Sequence, residues 1–184
     1  MFEIEEPHTG EEIDDGLRQL ADEINAYIGS LDLEEFAAPQ GEFWPPERHL
    51  RHLAKSVRAA AGGMRVSRLL LAIRFGRRKA PSRSYGEVVE LYQSALAAGA
   101  GAGRFTPSER PPDVSAEEWC EGVMSRWQQA CAALAAASGR WSEKALDRYQ
   151  LPHPLLGKMT VREILFFTLY HNAHHVRRIR ERRA

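Results

Sequence analysis

Cysteine is scarce: 184 residues contain two, Cys120 and Cys131. On one helix their eleven-residue spacing sets them on one face, about 16 Å apart along the axis. A disulfide needs Cα atoms within about 7 Å, so these two do not bond to each other. A reduced, cytoplasmic protein is the expectation. No apolar run approaches the roughly 20 residues of a membrane span. The start, Met1-Phe2-Glu3-Ile4-Glu5-Glu6, lacks the positive and then apolar stretches of a secretory signal. Net charge is missing as well, since 25 Lys and Arg balance 25 Asp and Glu. No overall field therefore draws the molecule to nucleic acid or membrane, and neither is expected as a partner. The basic end, Arg177–Arg183, reads as a solvated helix end, where cations suit the dipole. The sequence has no P-loop, no dinucleotide fingerprint and no Ser-His-Asp spacing. Nothing alternates with period two for long enough to predict a strand.

Helical signals fill the space those absences leave. Residues 1–184 read as one domain, long enough to bury a core without disulfides. A capping box, Ser or Thr followed three residues later by Glu, occurs at Thr9/Glu12, Ser84/Glu87, Ser115/Glu118 and Thr160/Glu163. Its hydroxyl and carboxylate satisfy N–H groups that a helix's first turn leaves unpaired. Pro45-Pro46 marks a further start, because proline suits the first helical turn. Apolar residues spaced by three and four then predict four long helices, about 11–29, 46–74, 116–138 and 161–182. A shorter helix is expected over Ser84–Ala98. Beyond it Gly99-Ala100-Gly101-Ala102-Gly103 and Pro107, Pro111 and Pro112 interrupt regular structure. The prediction is an all-α four-helix bundle with a long crossover between its second and third helices.

Chemistry concentrates in the histidines. On the last helix, at 100° per residue, His175 falls about 50° from the centre of the apolar stripe, His171 about 90° and His174 about 150°. His171 and His175 therefore lie one turn apart on one face, where two imidazoles can chelate one metal ion. His174 reads as more solvated. A lone HxxxH pair also arises by chance, and buried histidines are often satisfied by ordinary hydrogen bonds. The second helix offers His49 and His52 as a third partner, and periodicity mildly favours His49. His153 sits in a proline-flanked turn, where a structural role weighs more than a chemical one. Glu163 reads as a helix cap rather than a general base.

The segment from Trp44 to Ser56 resembles the early signature of the DinB-like superfamily, in which a tryptophan is followed eight residues later by a histidine and then Leu-Ala. His52 stands in that place. The stretch His153–Ile179, with HPxxGKMT, ExLxF and HxxHH, resembles the closing signature of the same superfamily. The resemblance implies a DinB-like up-down-down-up bundle in which His52, His171 and His175 hold a divalent metal ion, zinc, nickel or iron. It also implies a metal-dependent enzyme working on a small-molecule substrate, as a low-molecular-weight thiol S-transferase or a hydrolase. The alternative is a non-catalytic metal-binding or dimerising bundle, with a homodimer as its partner state. Three neutral imidazoles with open positions suit a catalytic site better than a closed structural one.

Overall fold

Ser, Thr and Pro open the helices where the sequence places them. The computed structural model describes residues 6–37 and 43–181. Thr9 and Glu12 close a reciprocal capping box ahead of α1 (Gly10–Gly29), and a short α2 (Leu33–Ala37) follows. Pro46 opens α3 (Pro46–Arg65). The single helix expected over 46–74 is in fact two. Val66 is extended, and the Ser67 hydroxyl accepts from the Leu70 N–H to start α4 (Arg68–Phe75). The adjacent Gly62-Gly63 pair weakens the helix just before that break.

Ser84 and Glu87 form the second full capping box, ahead of α5 (Tyr85–Ala97). A 3-10 turn at Gly103–Phe105 leads toward α6 (Ala116–Ser138), which Ser115 caps, and then α7 (Glu143–Arg148). The absence of strands predicted from sequence is overturned next. β1 (Gln150–His153) and β2 (Gly157–Thr160) pair antiparallel, with Leu151 opposite Met159. Gly157, at φ 74°, supports the tight turn between them. Thr160 ends β2 and also caps α8 (Val161–Glu181): its hydroxyl accepts from the Glu163 N–H at 3.2 Å. Arg182 and Arg183 of the basic end, and Glu3 and Glu5 of the acidic start, lie outside the described residues.

Contacts between helix ends fix the topology. The Arg162 guanidinium donates to the His8 carbonyl, so α1 and α8 start together and run parallel. Trp119 near the start of α6 donates to Glu47 near the start of α3. Trp141, just past the end of α6, reaches the Met64 carbonyl near the end of α3, so these two are also parallel. His171 and His175, late in α8, meet His52 and His49, early in α3, which makes that pair antiparallel. The order is up-down-down-up.

Ile13, Leu20, Ile24, Leu50, Leu53, Val57, Val123, Trp127, Leu165 and Leu169 fill the centre and are almost wholly enclosed. Each buried aliphatic side chain of this kind contributes about 1.5–3 kcal/mol. The crossover adds a further layer. Tyr85 of α5 packs edge-on against Phe166, and Tyr92 against Phe167. Residues 161–169 of α8 are consequently buried on every side.

Candidate metal centre

Two helices and the crossover build the site. His52 lies in the second turn of α3, and His171 and His175 lie one turn apart on α8. One potential ligand nitrogen from each falls within 4.8 Å of the other two. The closest approach is 3.1 Å, between His52 Nε2 and His171 Nε2. The 3-10 turn of the crossover sets the direction of His52, because its Nδ1 lies 3.1 Å from the Phe105 carbonyl. A carbonyl oxygen only accepts, so Nδ1 carries the proton and Nε2 presents a lone pair toward His171. The His171 ring is held by stacking, its centroid 4.9 Å from that of Phe167 with the planes 21° apart. Its Nδ1 is buried without a hydrogen-bond partner among the described residues.

His49 stands behind the cluster. Its Nδ1 is 2.7 Å from His175 Nδ1, and one proton between them makes a hydrogen bond. The mild preference of periodicity for His49 follows from burial, yet burial does not separate the two: His49 is 6% exposed and His52 5%. Position does, since it is His52 whose nitrogen meets His171 and His175. The wheel ranked His175 as more deeply placed than His171. The structure reverses that order, with His171 buried and His175 half-buried, because Tyr92 of α5 covers His171 at 5.8 Å. His174 is half-buried among Tyr92, Tyr170 and His175, and does not join the cluster. Trp44 touches both His49 and His52 edge-on, at 5.6 and 5.5 Å.

All three clustered imidazoles are neutral near pH 7. Burial pushes His171 and His175 well below the usual histidine value, and neighbouring histidines push the same way. Burial also lowers His52, against the opposing pull of the Phe105 carbonyl. His153 is a separate case. Its Nδ1 accepts from the Leu155 and Leu156 N–H groups at 3.3 and 3.2 Å. The remaining ring nitrogen, Nε2, is therefore the one that carries the proton. Burial takes this imidazole down to about 4. Neither cysteine offers a thiolate at neutral pH, because burial raises both, Cys131 to about 12. Glu163 is fully buried and serves as the cap, accepting from the Thr160 N–H at 2.9 Å.

The cluster forms part of the wall of a cavity of about 690 Å³. Tyr92, Leu96, Phe105, His153, Phe167 and Arg178 line other parts of it. Phe105 and Arg104 carried no signal in the sequence. Phe105 acts on His52 through its main-chain oxygen, which any residue type would supply. His153, read from sequence as structural in its turn, also lines the cavity and does not join the cluster.

The donor set fits a divalent transition metal. Two nitrogens held by one zinc ion at about 2.0–2.1 Å, and at tetrahedral or square angles, stand roughly 2.9–3.4 Å apart. The 3.1 Å between His52 and His171 lies in that range, and the whole set, within 4.8 Å of one another, would draw closer together to hold one ion. Neutral imidazoles suit zinc, nickel or iron rather than magnesium or calcium.

Residues 16–179 match the family model of the DinB superfamily. No curated protein matches the chain. Among solved structures, a crystal structure described as TT2238, a four-helix bundle protein, aligns with a TM-score of 0.58 and 19% identity. The alignment covers 94% of this chain and 99% of that one. At that identity the likeness speaks for the fold alone. No helix among the described residues is long and apolar enough to cross a membrane.

Proposed function

The chain belongs to the DinB superfamily, and from that premise we propose that it is a metal-dependent enzyme acting on a small molecule. His52, His171 and His175 hold one divalent ion, zinc, nickel or iron. The reaction is transfer of a low-molecular-weight thiol to an electrophile, or hydrolysis, in the cytoplasm. The observation that carries this reading is the convergence of three neutral imidazoles on the wall of a substrate-sized cavity. When bound, such an ion lowers the pKa of a coordinated water or thiol and supplies a nucleophile near neutral pH.

The chain's own side chains do the rest. Phe105 fixes the tautomer of His52, and Phe167 fixes the ring plane of His171. His49 steadies His175 from behind. Trp44 and Tyr92 shield the cluster from water on two sides. His153 offers its Nε2–H to the cavity as a neutral donor, since two backbone N–H groups occupy its other nitrogen.

Elemental analysis of protein purified without a histidine tag tests the ion, with about one equivalent expected. Turnover of an electrophile that requires added thiol, or of an ester, and that stops on chelation tests the enzyme. Metal binding with no such turnover would favour the second reading, a non-catalytic bundle. One observation supports dimerisation in that reading. Leu69, Leu70 and Ile73 of α4 turn their side chains outward, 65%, 58% and 73% exposed.

A further inference from the structure

The cavity beside the histidines has a one-sided charge. Among the described residues that line it there is no aspartate and no glutamate. Two arginines do line it, Arg104 and Arg178, both exposed. Neither forms an ion pair or hydrogen bond among the described residues, and Arg104 lies only over the ring of Phe105, at 5.3 Å. The pair brackets the cluster. Arg104 directly precedes the residue whose carbonyl orients His52. Arg178 follows His174 by one turn of α8 and stands three residues beyond His175.

Charge at the cluster adds to the same sign. Three neutral imidazoles cancel none of the charge of a divalent ion. A carboxylate ligand would cancel part of it, and none among the described residues faces the site. A loaded cavity thus presents two ionic charges and two guanidiniums with no compensating anion in its described wall. The rest of that wall is largely apolar, including Ala60, Leu96, Leu155, Ile164 and Phe167. Its volume of about 690 Å³ suits a ligand of small-molecule size.

We propose that this cavity takes an amphipathic carboxylate: a small molecule with one carboxylate, held by Arg104 and Arg178, and a hydrocarbon body lying against the apolar wall. A guanidinium fork matches the carboxylate geometry. This rests on the reading of the cavity as a small-molecule site, the part of the proposed function that does not require the ion.

Titration calorimetry on the full chain tests it, with hexanoate, acetate and hexylammonium as probes, on chelator-treated and on zinc-loaded protein. Hexanoate should bind and hexylammonium should not. Acetate should bind far more weakly, because each methylene buried adds about fourfold in affinity. The double variant Arg104→Gln/Arg178→Gln should weaken hexanoate by about tenfold or more in both preparations. Both side chains are exposed, so the variant should fold, and an unchanged circular dichroism spectrum and zinc uptake would verify that. Arginine-dependent hexanoate binding by a protein that takes up no zinc would sustain this proposal and remove the metal reading. Normal zinc uptake with equal binding of hexanoate and hexylammonium would overturn it and leave the metal reading standing. Hexanoate binding that ignores the double variant would overturn it as well.

Discussion

The two ends of α8 handle polar groups in opposite ways. At its start every buried charge meets its counter-charge. The Glu163 carboxylate is fully enclosed and accepts from the Arg83 backbone N–H at 2.8 Å, from Arg83 Nε at 3.1 Å and from the Thr160 N–H, with Arg78 at 3.6 Å. Arg162 faces Glu143 at 2.5 Å and Asp147 at 2.6 Å. Ten residues further along, three imidazoles converge with no carboxylate among them, and a buried nitrogen of His171 has no partner among the described residues. A network that satisfies itself holds the architecture together. Neutral imidazole nitrogens gathered on one point are what a divalent ion, if bound, would engage.

The sharpest way to break that contrast is to remove one group from each end. Glu163→Ala strands Arg83 and Arg78 and opens the cap of α8. It should cost about 3–5 kcal/mol of unfolding free energy, the usual penalty for breaking a buried pair by deleting one partner. Zinc stoichiometry below the unfolding transition should stay the same. His171→Leu should do the reverse. The apolar group replaces Nδ1, which lacked a partner, but also takes away the nitrogen 3.1 Å from His52 Nε2, so stability of the chelated protein should fall by about 1–3 kcal/mol, less than for Glu163→Ala. Zinc uptake should disappear. Urea unfolding with parallel zinc titration reads both quantities, and two variants that each lost both would show that the ends are not separable.

The saturated end was far more legible in the sequence than the open one. Thr160 and Glu163 announce a capping box with their chemistry and spacing alone, and the box forms. The hairpin before it was invisible because each strand has four residues, too few for a period of two to show, and Pro152 interrupts the first. The break at Val66-Ser67 was hidden by the apolar run Leu69-Leu70-Leu71, which extends the helical pattern straight across it. At the open end, periodicity could rank histidines by face, and it mildly favoured His49 over His52. The groups that His52 meets are Phe105, 53 residues from it in sequence, and His171, 119 residues away. The superfamily signature pointed to His52 without either contact.

Chelation should sharpen the comparison further. At a free zinc concentration a hundred times Kd, the ion should add about 2.7 kcal/mol to stability. Glu163→Ala should lose that same increment when the ion is stripped, because the two ends share no partner. Acid should destabilise the metal-free protein by degrees. His171 and His175 have folded pKa values below the unfolded one, so between those values the unfolded chain binds more protons. Stability of the metal-free protein therefore rises with pH across that window. It is fully present above about pH 6.5 and is lost as pH falls. His153 contributes over its own window, from about 6.5 down to about 4. The other end titrates later. Hydrogen bonds from Arg162 hold Glu143 below its usual value, and those from Arg162 and Ser82 do so for Asp147 despite the upward push of burial. Their contribution is present above the ordinary carboxylate range and lost only as pH falls below it. Unfolding measured from pH 8 to pH 3 should show a first loss that His171→Leu reduces and a second that it leaves alone.

The smallest expected effects belong to the two histidines beside the cluster, and of these His49 touches it without joining it. Its Nδ1 lies against His175 Nδ1, in the place of a group that steadies a ligand ring. Partners of this kind commonly change metal affinity by about 10–100-fold when removed. His49→Ala should accordingly keep zinc at full stoichiometry while weakening it to that extent, and His52→Ala should abolish uptake. His174→Ala should change affinity little, since that ring packs among aromatic side chains instead. Competition with a chromophoric chelator measures all three variants on one scale. An affinity for His49→Ala equal to the parent's would mean that the His49–His175 contact does nothing for the ion. A loss as complete as that of His52→Ala would make His49 a ligand, and apolar phase on α3 would then have been a better guide than the position eight residues after Trp44.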